Sequence, residues 1–214
     1  MAHVRPAVER WVTWSGLIPL PAFLALHLAH ELSWAFATEV SEVVRPAPTA
    51  FIRLTSFFLV WLPLAVHVAL GCGRWVMGHA ASAAPTGDVP AASRLVSRVT
   101  SLLSLAFLAY HGRTYSLTVW RGEAAAEDAG FRLLEELSSA TSGVPLSGGL
   151  YLLGLLVTAA HAGLGVHRGL LLEGLLPTPG KRRLSARACA LGSAISFCLG
   201  AAAVIRVASG VLLR

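Results

Sequence analysis

Five long apolar runs alternate with polar connections along the chain, at about residues 12–35, 54–78, 97–120, 148–173 and 188–210. Each is long enough to cross ~30 Å of hydrocarbon at ~1.5 Å per residue. Backbone groups find no water inside a bilayer, so such runs must satisfy their own hydrogen bonds as helices. The pattern predicts an all-α membrane protein: five transmembrane helices in a single domain spanning residues 1–214, the first four forming a bundle. Between runs three and four, Glu127–Leu137 sets Phe131, Leu134 and Leu137 at helical spacing, which predicts a short interfacial helix. Pro85, Gly87 and Pro90 mark a linker after the second run, and Pro177, Pro179 and Gly180 break the chain before the basic stretch and the last run.

Composition supports this reading. The chain has 214 residues, 55% hydrophobic and 13% charged, with a mean hydropathy of +0.66, as a multi-span membrane protein has. The net charge of +6 does not indicate nucleic acid, because it is sorted by connection. Arg5 and Arg10 precede the first run, Arg74, Arg94 and Arg98 flank the second connection, and Lys181, Arg182, Arg183 and Arg187 crowd the fourth. The first and third connections hold Glu39, Glu42, Glu123, Glu127, Asp128, Glu135 and Glu136. The positive-inside bias then puts the N-terminus in the cytoplasm and the C-terminus outside. Ala35-Phe-Ala37 resembles a signal-cleavage site, but the first run is long for a signal and holds His27, His30 and Glu31, so it is expected to remain. Cys72, Cys189 and Cys198 form no C-x-x-C or C-x-x-C-H pattern, which argues against a disulfide framework, thiolate zinc or covalent haem.

An ionisable side chain inside a bilayer is costly and marks a candidate functional residue. Each of the first four runs carries one near its middle: His27, His67, His111 and His161. Two short phrases repeat around them. Phe23-Leu-Ala-Leu-His27 recurs as Phe107-Leu-Ala-Tyr-His111, and His67, Gly71 and Arg74 recur at the same spacing as His161, Gly165 and Arg168. The helical rise sets His27 and His111 roughly 20 Å from the inner edge and His67 and His161 roughly 10 Å from it. The expected pairs are therefore His27 with His111 towards the outside and His67 with His161 towards the inside.

Bundle interiors build cofactor sites from side chains on facing helices, and two histidines form the axial set of a b-type haem. Gly71 and Gly165, one turn after their histidines, would leave room for a porphyrin edge. Arg74 and Arg168, a further turn towards the cytoplasm, would pair with haem propionates. His167 is read as a helix-end or propionate-side residue. The blander reading, in which each histidine only bonds a neighbouring helix, does not account for four at matched depths within repeated phrases.

The stretch from His161 to Arg168 is similar to the H-x-x-x-G-x-[RH]-[HR] signature of succinate dehydrogenase cytochrome b subunits, and the layout of one histidine in each of four successive spans resembles the two-haem anchors of succinate dehydrogenase and fumarate reductase. The resemblance implies a multi-pass subunit of a bacterial inner membrane with two haem b groups. It implies partner iron–sulfur and flavoprotein subunits, the latter holding the dicarboxylate chemistry, with quinone, commonly menaquinone, as the membrane substrate. The chain would thus be the quinone-reactive part of an enzyme complex. Some relatives place a glutamate two residues before the fourth-span ligand in a proton pathway; this chain has Ala159 there. His30, Glu31 and Arg53 are the main candidates for a quinone site, with Glu42, or Trp11, Ser15 and Arg98 at the inner side, as alternatives. The rival readings are an anchor of the formate dehydrogenase or hydrogenase type and a haem-free transporter.

Overall fold

The structure, a computed structural model, describes residues 7–17, 19–36, 50–76, 91–117, 121–122, 126–140 and 145–209. The described residues are helical throughout apart from short turns, and contain no strand. All five apolar runs are helical over most of their length. The first is α1 (Ala7–Leu17) followed by α2 (Pro19–Phe36). The second is α3 (Ala50–Ser56), a π-helical stretch at Phe57–Trp61, and α4 (Leu62–Val76). The third is α5 (Ala91–His111) with a π-helical end at Gly112–Leu117. A short α6 (Ala126–Ser138) precedes α7 (Leu146–Leu172) and α8 (Pro179–Ala208). Three helical stretches are long and apolar enough to cross a membrane: Leu54–Gly73, Leu146–Leu172 and Pro179–Ala208.

Local sequence explains the breaks. Pro63 has no N–H to give to the Leu59 carbonyl, and the ladder just before it widens, so that the Leu62 N–H bonds the Phe57 carbonyl five residues back. Gly174, at φ +73°, ends α7. There the Leu175 N–H reaches the Leu170 carbonyl at 3.0 Å and the Gly174 N–H reaches that of Leu171 at 3.1 Å, a Schellman closure that favours glycine. Thr178 caps α8 by accepting from the Lys181 N–H, with Pro179 in the first turn. The basic residues Lys181–Arg183 and Arg187 thus lie on the first turns of α8, not in a connection, because Pro179 and Gly180 begin the helix rather than precede it.

The central rod is α7, against which α1, α5, α6 and α8 pack; α8 in turn packs on α2. Small residues make this close approach possible. A Cβ on Gly163 would overlap Ser193 Oγ and lie 2.9 Å from the Cys189 carbonyl oxygen, and one on Gly200 would overlap Leu155. Ser193 adds an interhelical bond, its hydroxyl donating to the Ala159 carbonyl at 2.8 Å. Outward faces are apolar: Leu102, Leu150, Leu153, Leu191 and Ile195 are all exposed, a surface suited to lipid rather than water. The short helix expected over Glu127–Leu137 forms as the amphipathic α6. Its Leu134 and Leu137 are fully buried with Tyr151, Ala203 and Val207, while Phe131 stays exposed. Its apolar face docks on α7 and α8.

Candidate functional site

The four histidines come together in two pairs. The rings of His27 and His111 lie 6.2 Å apart, centre to centre, with planes crossing at 62°. Those of His67 and His161 lie 6.4 Å apart, crossing at 61°. Among the described residues, neither α2 with α5 nor α4 with α7 shares extended backbone packing. The imidazoles meet across a gap that their backbones leave. Tyr151, beside His111, precedes His161 by ten residues on α7, so the tiers stand roughly 15 Å apart along the helix.

This spacing can be tested against a metal held between the rings. An imidazole nitrogen binds a metal at roughly 2 Å and the ring centre lies about 1 Å further back, so trans axial imidazoles hold their centres roughly 6 Å apart. Both pairs fit. Among the described residues no three His, Cys, Asp or Glu side chains gather in one place.

The surroundings of each pair differ. In the His27–His111 tier, outer on the expected orientation, Phe23 stacks on His27 at 5.3 Å and 15°, and Phe107 stacks on His111 at 5.9 Å and 18°. The repeated phrase is therefore one structural unit, a phenyl ring laid against the imidazole one turn further on. Phe107 fits because Gly154 has no side chain; a Cβ there would overlap its ring. The Tyr151 hydroxyl lies 3.3 Å from His111 Nδ1. Were Nε2 to hold a metal, Nδ1–H would donate to this oxygen and orient the ring, as second-sphere partners of metal-bound histidines do.

In the His67–His161 tier, inner on the expected orientation, Ser15 Oγ lies 3.5 Å from His67 Nδ1. The ring itself occupies the space over Gly16, where a Cβ would come within 2.5 Å of Cε1. His161 Nδ1 is buried with no hydrogen-bond partner among the described residues, as are the hydroxyls of Ser104 and Thr158. On the antiparallel α5 and α7, Phe107 faces Gly154 and His111 faces Tyr151; continuing that register sets Ser104 opposite Thr158, between the tiers.

The remaining expected residues divide. A Cβ on Gly71 or on Gly165 would touch nothing within 4 Å, so both glycines leave open space on the faces of their histidines. Arg168 is exposed. His167 is engaged elsewhere, with Nδ1 3.0 Å from Ser185 Oγ on α8. The side chains of Arg74, His30, Glu31 and Arg53, and residue Glu42, lie outside the described part. Trp11 and Arg98 are exposed, and Ser15 belongs with His67. Sequence reasoning missed Tyr151, Gly16 and Gly154 as neighbours of the histidines. A tyrosine or glycine in a span is ordinary, and only the register of packed helices shows what it faces. No family model, curated protein or solved structure matches this chain.

Proposed function

We propose that this chain is the cytochrome b anchor of a succinate:quinone oxidoreductase, with five transmembrane helices holding two b-type haems. The observation that carries the reading is the meeting of all four intramembrane histidines in two pairs, at 6.2 Å and 6.4 Å, each the span of two axial ligands. His27 and His111 hold the outer haem, and His67 and His161 the inner. Gly71 and Gly165 leave space beside the ring edge, and Arg74 and Arg168 meet the propionates. Tyr151 and Ser15 orient one imidazole of each pair. Bound haem supplies one-electron transfer, linking an iron–sulfur partner on the cytoplasmic side to membrane quinone. The exposed Lys181, Arg182, Arg183 and Arg187 at the start of α8, with Arg94 and Arg98, form a basic docking face for that partner and set the N-terminus inside. Dicarboxylate chemistry resides on the flavoprotein partner.

The test is a redox-titrated absorption spectrum of the purified complex, with haem counted per chain and subunits identified. Two low-spin b-type centres and co-purifying flavin and iron–sulfur subunits are expected. His161→Ala removes the inner centre and leaves the outer. A colourless preparation, or one in which that substitution removes neither centre, overturns the reading; different partner subunits would reassign the chain to another oxidoreductase.

A further inference from the structure

We infer that Ser104 of α5, with Thr158 and His161 of α7, holds one buried water, and that this water orients the His161 imidazole. The role given to His161 rests on the proposed function; the water site rests on geometry alone. Three polar atoms there are buried without a hydrogen-bond partner among the described residues: Ser104 Oγ, Thr158 Oγ1 and His161 Nδ1. Ser104 is only 3% exposed. Leaving such atoms unpaired is costly, and native interiors pair nearly all of them with protein or with ordered water.

The packing of α5 on α7 sets the three groups together. Thr100, Ser104, Phe107 and His111 recur every three or four residues and form one stripe of α5, as Tyr151, Gly154, Thr158 and His161 do on α7. Phe107 fills the space over Gly154, and His111 meets Tyr151. One turn further along the antiparallel pair, Ser104 faces Thr158, and the next turn sets Thr100 opposite His161. Thr158 and His161, three residues apart, have Cβ atoms roughly 5–6 Å from each other, a gap that one water spans with two hydrogen bonds. The hydroxyls point the same way. A serine or threonine inside a helix commonly donates to the carbonyl four residues back, as Thr100 does to Val96 at 2.9 Å. Ser104 and Thr158 make no such bond, which leaves both for a partner between the helices.

The donor set decides the ligand. All three groups are uncharged when His161 is a neutral imidazole, and among the described residues no three His, Cys, Asp or Glu side chains gather to hold a cation. An ion would meet no opposite charge here, and an apolar ligand would leave the three atoms unpaired. Water both donates and accepts, and a buried water makes about three hydrogen bonds. It accepts from the His161 Nδ1–H and donates to the oxygens of Ser104 and Thr158. With Nδ1 so engaged, Nε2 is the nitrogen left for a metal. The water then does for His161 what Tyr151 does beside His111 and Ser15 beside His67.

The test uses the purified complex with all its subunits. A high-resolution cryo-EM map should show water density within hydrogen-bond distance of Ser104 Oγ, Thr158 Oγ1 and His161 Nδ1; a map with none there overturns the site. Thr158→Val keeps the side-chain volume and removes the hydroxyl. Haem retention in the inner tier should then weaken by about 10–100-fold, read by transfer to an apo-acceptor protein, with the outer tier unchanged. The midpoint potential of the inner centre should rise, because a less basic imidazole stabilises ferric iron less. Ser104→Ala should act in the same direction. Thr158→Ser keeps the hydroxyl and loses a methyl, so it should behave as the parent, an order that packing alone would reverse. An inner centre unchanged in both Thr158→Val and Ser104→Ala, or disturbed by Thr158→Ser instead, overturns the inference. Water density in a complex without haem keeps the water site and removes the proposed function, with the ligand role of His161.

Discussion

Gly16→Ala is the most discriminating substitution in the molecule. A Cβ there would lie 2.5 Å from Cε1 and 2.7 Å from Nδ1 of His67. Non-bonded carbons rest at about 3.5–4.0 Å, so the imidazole must retreat by about 1 Å. The fold can absorb this, because the ring is the free end of a side chain; overpacking of this kind costs roughly 1–3 kcal/mol. A metal–ligand bond cannot absorb it, since such distances hold to within about 0.2 Å. The damage should therefore appear in cofactor occupancy rather than in folding. The inner pair, now 6.4 Å apart, loses its reach, while the outer pair roughly 15 Å away along the helix is untouched. On the proposed two-haem reading, pyridine haemochrome counting should drop from two haems per chain to one, with the remaining spectrum that of the outer centre. Gly192→Ala, where a Cβ meets nothing within 4 Å, serves as the control and should keep both. Two haems with unaltered spectra in Gly16→Ala would refute the placement of His67 as a ligand packed over this glycine.

Three further outcomes follow from the same geometry. Tyr151→Phe preserves the contacts with Phe107 and Tyr110 but removes the hydroxyl at His111, so haem retention in the outer tier should weaken by about 10–100-fold while the inner tier holds, read by haem loss to an apo-acceptor protein. Gly163→Ala sets a methyl 2.9 Å from the Cys189 backbone oxygen; backbone cannot swing aside, so thermal unfolding in detergent should show a loss of roughly 1–3 kcal/mol or more. Gly174→Ala forces a side chain into a left-handed position at φ +73° and should cost about 1–2 kcal/mol in the same assay, with both haems retained.

The helical runs were legible because bilayer thickness and backbone hydrogen bonding leave long apolar stretches a single conformation. Some ends were not. The last helix begins at Pro179 rather than near residue 188, because a Thr178 cap and a proline in the first turn let a helix start within polar sequence. The partnership of the histidines was legible to the extent that helical rise fixes depth: His27 with His111 and His67 with His161 followed from counting residues. The aromatic neighbours were only half visible. Phe23 and Phe107 stood out as parts of a repeat, but their stacking on the imidazoles depends on rotamers that spacing does not specify.

Sequence alone determined which segments are apolar helices and which histidines share a level, since both depend on one-dimensional quantities, run length and rise per residue. Tertiary structure decided what stands sideways of each histidine: Gly16 and Ser15 at His67, Tyr151 at His111, and Ser185 drawing His167 towards α8. It also gave α6 its partners, packing Leu134 and Leu137 with Tyr151, Ala203 and Val207. The reason is geometric, because azimuth around a helix and register between helices arise only when side chains of particular volume interlock.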